Sequence, residues 1–586
     1  MAHRYEVTLQ PRQHLLQVRL QIAAPDPDGQ ILALPAWVPG SYTVRNLARH
    51  IVQLTAHSAG KVLAVEKIDK DRWRLAPCSA PLQVEYNVYA FDKSVRTAYL
   101  DDSGGFFNGP AIFLRVVGQE AEEHELRISG PDDWQLATSM ARQSGAAWSW
   151  GIFSAEDYRG FCNHPLLCGL LARVDFSAGE IPHHLALHGH PEATLLRLGE
   201  DLSAICAYQQ AFWGESPFSR YHFLCLGSQN GYGGLEHQAS SALLCKRTDL
   251  DGSDPSGYRD FLGLASHEYF HSWLVQGIRP AVWSEGYWEG ENASRDLWIF
   301  EGITSYYDSL LLCRAGLWSA DEYLQELGRE ITRLARRPGE ALQSLAESSA
   351  DAWTKLYHPH PGAANFEISY YNKGALAALC LDARLRAHGS DLDQILRMLW
   401  QDYRQRPLPE GEIFSWLADK IPAATLAELR SWIFETHPLP LTECLEYLGV
   451  ALCWRAAAGA ADRGGVAAEG QRLALGATWK KAALGVELTF VRSGSPAEAA
   501  GLCPGDRLLT LDAEEIHSDA LQAQLDRVGS PVPRVLHYLR DGRLYSCTCT
   551  PAPAPLDTAY LLPLEDTDAS QRRARWLTPE QAQTAG

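Results

Sequence analysis

No run of about 18 apolar residues occurs in this chain of 586, which leaves no candidate for a membrane-spanning helix. The opening MAHRYEVTLQ lacks the apolar stretch that an export signal needs, so a cytoplasmic location is expected. Paired cysteines are missing too. The thirteen cysteines are an odd number, and neither Cys162/Cys168 nor Cys547-Thr548-Cys549 has zinc-finger spacing, so reduced thiols are the simplest account. Positive charge is scarce. The 52 Lys and Arg stand against 71 Asp and Glu, and a net charge of −19 argues against nucleic-acid binding.

What the chain has is length and apolar content. With 46% hydrophobic residues over 586 positions it exceeds a single core and predicts three or four domains. Up to about residue 175 the pattern is β: Leu16, Val18, Leu20 and Ile22 alternate with polar residues, as do Leu82, Val84, Tyr86 and Val88. Turns such as Pro25 to Gly29 and Ser103 to Gly105 punctuate these strands. Helical patterns begin near Thr194 and dominate to about Phe434, with strands expected over 220–227 and 240–245. The small-residue stretch Ala456 to Gly470 reads as a linker or flexible loop, and the chain beyond Pro551 as a Pro/Ala-rich and then polar tail.

The most informative segment is His267-Glu268-Tyr269-Phe270-His271, an HExxH run inside the apolar helical pattern Phe261 to Leu274. On a helix the histidines are i and i+4, so both imidazoles leave one face and can hold one metal ion. Glu268 then stands where a general base for a water molecule belongs. The alternative is a buried helix with two structurally satisfied histidines. A hydrolytic zinc needs a third protein ligand, and Glu285, Glu289, Glu291 and Glu301 follow downstream. The first three lie in the Gly-rich SEGYWEGENAS, whereas Glu301 lies in RDLWIFEGITSYYDSLLLC, whose apolar spacing suits a buried helix. A ligand is held better on a helix, which favours Glu301. Asp308, seven residues on and on the same face, is placed to accept the free N–H of a metal-bound His, or is a solvated helix residue.

Two blocks together, His267 to His271 and the later Leu297-Trp298-Ile299-Phe300-Glu301-Gly302, resemble the gluzincin aminopeptidases, in particular the glycyl aminopeptidase family. Gly233-Gly234-Leu235-Glu236-His237 resembles that family's G-x-M-E-N signature, with Leu and His in place of Met and Asn. Tyr370-Tyr371-Asn372-Lys373-Gly374 resembles its Y-x-KG segment, and Trp37-Val38-Pro39-Gly40-Ser41-Tyr42 a further block. After the HExxH helix the chain departs, with Leu274-Val275-Gln276-Gly277 where Asn-Val-Lys-Arg is usual. Val491 to Ala497 and Ala500 to Leu509 resemble a bacterial PDZ domain, with Leu484-Gly485-Val486 as its carboxylate loop.

The resemblance implies a multidomain α+β chain. Residues 1–175 would form a β-sandwich-like domain, 176–440 a thermolysin-like, mostly α-helical catalytic domain, 441–555 the PDZ domain and 556–586 the tail. It implies one zinc held by His267, His271 and Glu301, Glu268 as base, and Tyr371 (or its neighbour Tyr370) as oxyanion donor. Glu236 would bind the ammonium of a peptide with a free N-terminus, Gly or Ala preferred. Gly233 and Gly234 would allow close backbone approach, and Asn108 would add a polar contact. The PDZ domain would take a C-terminal peptide or only pack on the rest. A zinc endopeptidase without N-terminal recognition and a non-catalytic peptide-binding protein are the competing classes.

Overall fold

The structure, a computed structural model, describes residues 2–189, 194–284, 288–517, 520–527 and 529–578. The chain divides into two compact units, Met1–Asn292 with Arg397–Pro409, and Ala293–Leu396 with Glu410–Gly586. It is a multidomain α+β protein whose β-rich N-terminal region precedes a largely helical region. Among the described residues no helix is long and apolar enough to cross a membrane.

The first unit opens with an eight-stranded sheet and two four-stranded sheets that run to Gly169. The alternation read from sequence is realised: Leu16, Val18, Leu20 and Ile22 are buried along the strand Leu15–Ile22 while Gln17 and Arg19 are exposed. Two tyrosines of the inward face satisfy their hydroxyls on backbone, Tyr5 on the Leu114 carbonyl at 2.6 Å and Tyr86 on that of Ile112 at 2.9 Å.

A fourth sheet leads into the HExxH helix. Its five strands lie in the order Ala172–Ala178, Ile181–His188, Tyr221–Ser228, Ser240–Lys246, Gly233–His237. Tyr221–Ser228 pairs in parallel on both sides and is buried at every position, as a central parallel strand should be. Gly233–His237 is the last strand of this order, antiparallel to Ser240–Lys246. The helix Pro255–Phe270 follows, started by Asp254, whose side chain accepts from the Ser256 and Gly257 amides, with Pro255 in its first turn. Tyr269 turns away from the imidazole face into a cluster with Phe218, Tyr221, Phe223 and Trp273. There His183 and Gln210 meet its hydroxyl, each at 2.9 Å. This buried aromatic sets the rotation of the helix and so the direction of His267, Glu268 and His271.

The second unit is built first of helices. A π-helical turn, Trp298–Gly302, leads into Ile303–Arg314, and Tyr370–Ala387 packs across it. At the crossing a Cβ on Gly302 would lie 2.7 Å from the Gly374 Cα, and one on Gly374 would lie 2.9 Å from the Gly302 Cα. The two glycines of the EG and KG motifs thus admit each other. Tyr306 reaches Asp382 across the two helices at 2.7 Å, and Arg314 pairs with Asp393 of the helix Leu392–Tyr403 at 2.8 Å, all four buried.

Farther along, five strands run in the order Ala477–Lys481, Val486–Val491, Arg507–Leu511, Arg534–Arg540, Arg543–Cys549, and Glu514–Glu515 pairs off Arg507–Leu511. The short helices Pro496–Ala499 and Leu521–Asp526 help close a core of Val486, Leu488, Leu508, Leu521, Leu525 and Leu536. The expected linker is a packed loop, since Asp462 pairs with the buried Arg455 and a Cβ on Gly464 would lie 2.2 Å from Thr332 Oγ1. The expected tail, 556–586, carries a strand and a helix in its described part, which ends at residue 578. Thr558–Pro563 pairs with Val450–Arg455, and the helix Thr567–Leu577 buries Trp576, whose indole N–H reaches the Tyr306 hydroxyl at 2.9 Å. One tryptophan in a polar helix is enough apolar area to dock it.

Candidate metal and peptide site

In the first unit His267 and His271 stand on one helix face with their Nε2 atoms 3.1 Å apart. His271 Nδ1 lies 3.0 Å from the Leu274 carbonyl, an acceptor, so this nitrogen carries the proton and Nε2 presents a lone pair. The carbonyl thereby plays the tautomer-fixing part for His271 that a carboxylate often takes. Two imidazole nitrogens at this separation are each reachable by one ion at about 2.0–2.1 Å, the zinc–nitrogen distance. The donor set therefore fits the metal that the spacing implies.

Glu268 is buried beside them, and its Oε2 accepts the backbone N–H of Glu236 at 2.9 Å. Gly234 makes this possible: a Cβ there would fall 2.2 Å from Glu268 Oε1. The Glu236 carboxylate is likewise buried, and a Cβ on Gly40 would fall 2.4 Å from its Oε2. Gly40 has φ +81°, so glycine is favoured there both sterically and conformationally. Ligand-type atoms of Glu236, Glu268 and His271 lie within 4.8 Å of one another.

Sequence reasoning missed Arg96, which donates to the Gly234 carbonyl at 3.3 Å and lies beside Gly233. Its only sequence signal is a cation in a polar turn. Asn108 is fully buried and gives its amide to the Val95 carbonyl at 3.1 Å, so it braces the loop that presents Arg96. His237, in the usual place of an asparagine, holds Asn163 at 3.2 Å, and burial pushes its pKa down to about 3. It is neutral and lines a cleft with Trp37, Gly40, Glu236, Val275 and Gln276. Val275 adopts φ +114°, a strained conformation for a β-branched residue, five residues past the helix end at Phe270. Of the other glutamates weighed as ligands, Glu289 is engaged by Arg72 at 2.5 Å and Arg115 at 2.6 Å. Glu291 is exposed. Glu285 lies outside the described residues.

In the second unit Glu301 is buried within the π-helical turn, a distortion often found at functional positions, where a regular helix was expected. Tyr370 is fully buried; burial first, then Tyr357 and Glu301, pushes its phenol well above the ordinary value. Tyr371 is half-buried, stacks on Tyr370 at 4.7 Å and shares a 2.8 Å hydrogen bond with the Tyr357 hydroxyl. Lys373 of the same motif is buried against Glu340 at 3.2 Å and the His437 carbonyl at 3.2 Å, a structural role. Asp308 is half-buried, and its charge acts on Tyr323 and Glu330.

Residues 4–170 match the Peptidase M61 N-terminal domain, and residues 260–377 match the M61 glycyl aminopeptidase family. No curated protein matches. The crystal structure of an aminopeptidase N family protein from Idiomarina loihiensis is similar at 35% identity and a TM-score of 0.95, covering 98% of this chain and 100% of that one. An M1 zinc metallopeptidase from Deinococcus radiodurans shares the fold at 14% identity and a TM-score of 0.50, covering 75% of this chain and 95% of the other. With its HExxH helix, two family matches and an end-to-end relative, this chain is a zinc metallopeptidase that belongs to the M61 glycyl aminopeptidase family.

Proposed function

We propose that this enzyme removes small N-terminal residues, Gly and Ala foremost, from peptides with a free amine. One observation carries the reading: Glu236 and Glu268 are both buried, and their oxygens crowd each other and His271. Two such carboxylates repel unless cations neutralise them. The imidazole pair provides for one cation, the metal. A substrate ammonium at Glu236 provides the second, through a charge-assisted hydrogen bond. Holding the ammonium at a fixed reach also selects which carbonyl meets the attacking water, so an N-terminal residue is released.

His267, His271 and Glu301 would hold the zinc, with Asp308 as an outer carboxylate that supports it. When bound, zinc would supply Lewis acidity towards water and the scissile carbonyl. Glu268, aimed by the Glu236 amide, takes the proton of the attacking water and passes it to the leaving amine. Tyr371 donates to the oxyanion; its being only half-buried, against the complete burial of Tyr370, supports this choice of the two. Gly233 and Gly234 let the substrate backbone come close to the terminal strand. Asn108 contributes through the Arg96 loop.

The C-terminal sheet we read as a PDZ-type module. Gly485, in its proposed carboxylate loop, has φ +69°, and a Cβ there would lie 1.9 Å from the Leu508 carbonyl. A PDZ ligand adds as a strand at an open edge. Here Ala477–Lys481 already pairs along Val486–Val491, and Trp479 packs on the core, which favours a structural role over peptide capture.

Hydrolysis of alanyl-anilides and of the same peptides with free and acetylated N-termini tests the reading. Glu236→Ala should lower kcat/KM for free-amine substrates at least tenfold, about 1.4 kcal/mol, with zinc content unchanged. Equal cleavage of free and acetylated peptides by the unaltered enzyme would show an endopeptidase instead.

A further inference from the structure

Tyr357 lies in the irregular segment between the helices Leu345–Ala350 and Ala363–Phe366, in a sequence, DAWTKLYHPHPG, that carries no recognisable motif. The segment is anchored by Trp353, which is buried, and by the Lys355 amide on the Asp351 carbonyl at 2.9 Å. From it the Tyr357 hydroxyl reaches the Tyr371 hydroxyl at 2.8 Å, while Tyr370 stacks on the Tyr371 ring with planes 28° apart. Among what holds Tyr371 are a ring that limits its tilt and a hydroxyl that meets its oxygen.

A phenol has one proton to give and lone pairs to accept with. In a pair of phenols one hydroxyl donates and the other accepts. If Tyr371 gave its proton to Tyr357, that proton would be lost to the substrate. If Tyr357 donates, the Tyr371 proton is the one offered to the oxyanion, and the two bonds run in one direction. Each bond in such a chain polarises the next and strengthens it. Tyr357 stands about as exposed as Tyr371, both half-buried, so neither is locked away from the other by packing alone.

We infer that Tyr357 is a positioning residue for peptide hydrolysis: its hydroxyl donates to that of Tyr371 and so directs the Tyr371 proton to the oxygen of the scissile carbonyl. The inference rests on the assignment of Tyr371 as oxyanion donor. Tyr357 itself does not touch the substrate. Its contribution is made when charge develops on that oxygen, so it should act on kcat and leave ground-state binding alone.

The test is a double-variant cycle with Tyr357→Phe, Tyr371→Phe and both together in the zinc-loaded full chain. Readouts are kcat and KM on an alanyl-anilide, affinity for a phosphinic dipeptide analogue of the tetrahedral state, zinc content and thermal midpoint. Tyr371→Phe should lower kcat by roughly 10²–10³, the range for loss of one oxyanion donor. Tyr357→Phe should lower it about tenfold with KM within about twofold, and weaken the phosphinic analogue by a similar factor. Added to Tyr371→Phe it should cost nothing more, because the group it acts through is gone. Zinc content and midpoint should not move. Additive losses, a change in KM alone, or full activity of Tyr357→Phe would each overturn the inference. A Tyr357→Phe defect larger than that of Tyr371→Phe would reverse the two roles and also overturn it. Full activity of Tyr371→Phe would remove the oxyanion assignment, and this inference with it, while leaving the Glu236 reading intact.

Discussion

In the first unit the polar side chains taken furthest from water include a set of histidines. His124 and His183 are fully buried, His237 is nearly so, and burial pushes their pKa values down to about 4, about 4 and about 3. In the second unit the deep polar groups include ion pairs: Arg314 with Asp393, Arg386 with Asp382, and Lys373 with Glu340. A buried neutral histidine needs only a hydrogen bond, such as the one from His183 to the Ile181 carbonyl at 2.9 Å. A buried ion pair needs both partners at once, because each charge left alone is costly. The first unit is therefore vulnerable to protons, and the second to the loss of a side chain.

The largest effects should come from one proposed residue in each unit. Glu301→Ala, in the second unit, should strip the zinc and abolish hydrolysis, measured by metal analysis of the purified variant. Glu268→Gln, in the first, should keep the zinc and the fold and lose roughly 10²–10⁴ in kcat, the range for a general base. A Glu301→Ala protein with a full complement of zinc would place the third ligand elsewhere. Near-normal turnover of Glu268→Gln would remove the base.

The difference between the units runs through what was readable in the sequence. The HExxH face was legible because its geometry is local: five residues fix both imidazoles, and Tyr269 needs only a helix to point the other way. The alternation of Leu16 to Ile22 was legible for the same reason. The Gly302–Gly374 crossing was not, since it joins positions 72 apart in the chain and neither glycine announces its partner. Gly40 was seen in a family block, but its reason, room for the Glu236 carboxylate, is a tertiary fact. Glu301 was placed on a helix from its apolar spacing, which cannot distinguish a π-helical turn from an α-helical one. The strand and helix in the described part of the tail were missed because a few buried residues, Trp576 foremost, outweigh a polar composition. Tyr357 was missed because nothing in its neighbourhood has a period.

A smaller effect tests the ion pairs. Asp393 accepts from Arg314 at 2.8 Å and from the Tyr307 hydroxyl at 2.6 Å. Asp393→Ala leaves the Arg314 guanidinium buried beside a void and should destabilise by about 3–5 kcal/mol, the cost of breaking a buried pair from one side. Urea unfolding with a probe in each unit would read it. A loss under 1 kcal/mol would mean that Arg314 relaxes to water, and that the second unit is less dependent on its pairs than its burial implies.

The smallest effect per group is the response to acid, and it should differ in sign between the units. For His124, His183 and His237 the folded pKa lies below the ordinary 6.5, so the unfolded chain binds the proton first. Their contribution is whole above about pH 6.5 and is lost as pH falls from there towards the folded values. At pH 5 each should have cost the first unit on the order of 2 kcal/mol, one pKa unit being worth about 1.4 kcal/mol. Asp296 in the second unit is the opposite case. Burial, opposed by the Gly411 amide and assisted by Glu410, raises its carboxyl to about 6. The folded state then holds the proton more tightly than the unfolded chain does. Its contribution is present at low pH and is lost as pH rises through about 6, so acidification to pH 5 should add on the order of 1 kcal/mol there. Hydrogen exchange at pH 7.5 and 5, corrected for intrinsic rates, resolves the two units separately. Opening free energies should fall in the helix Pro255–Phe270, against which His183 packs, and hold or rise around Trp298–Arg314. Replacing His183 by Asn should remove about one histidine's share of the acid loss. Equal losses in both units would mean that the histidines reach water on the timescale of opening, and the contrast in how the two units bury polarity would fall.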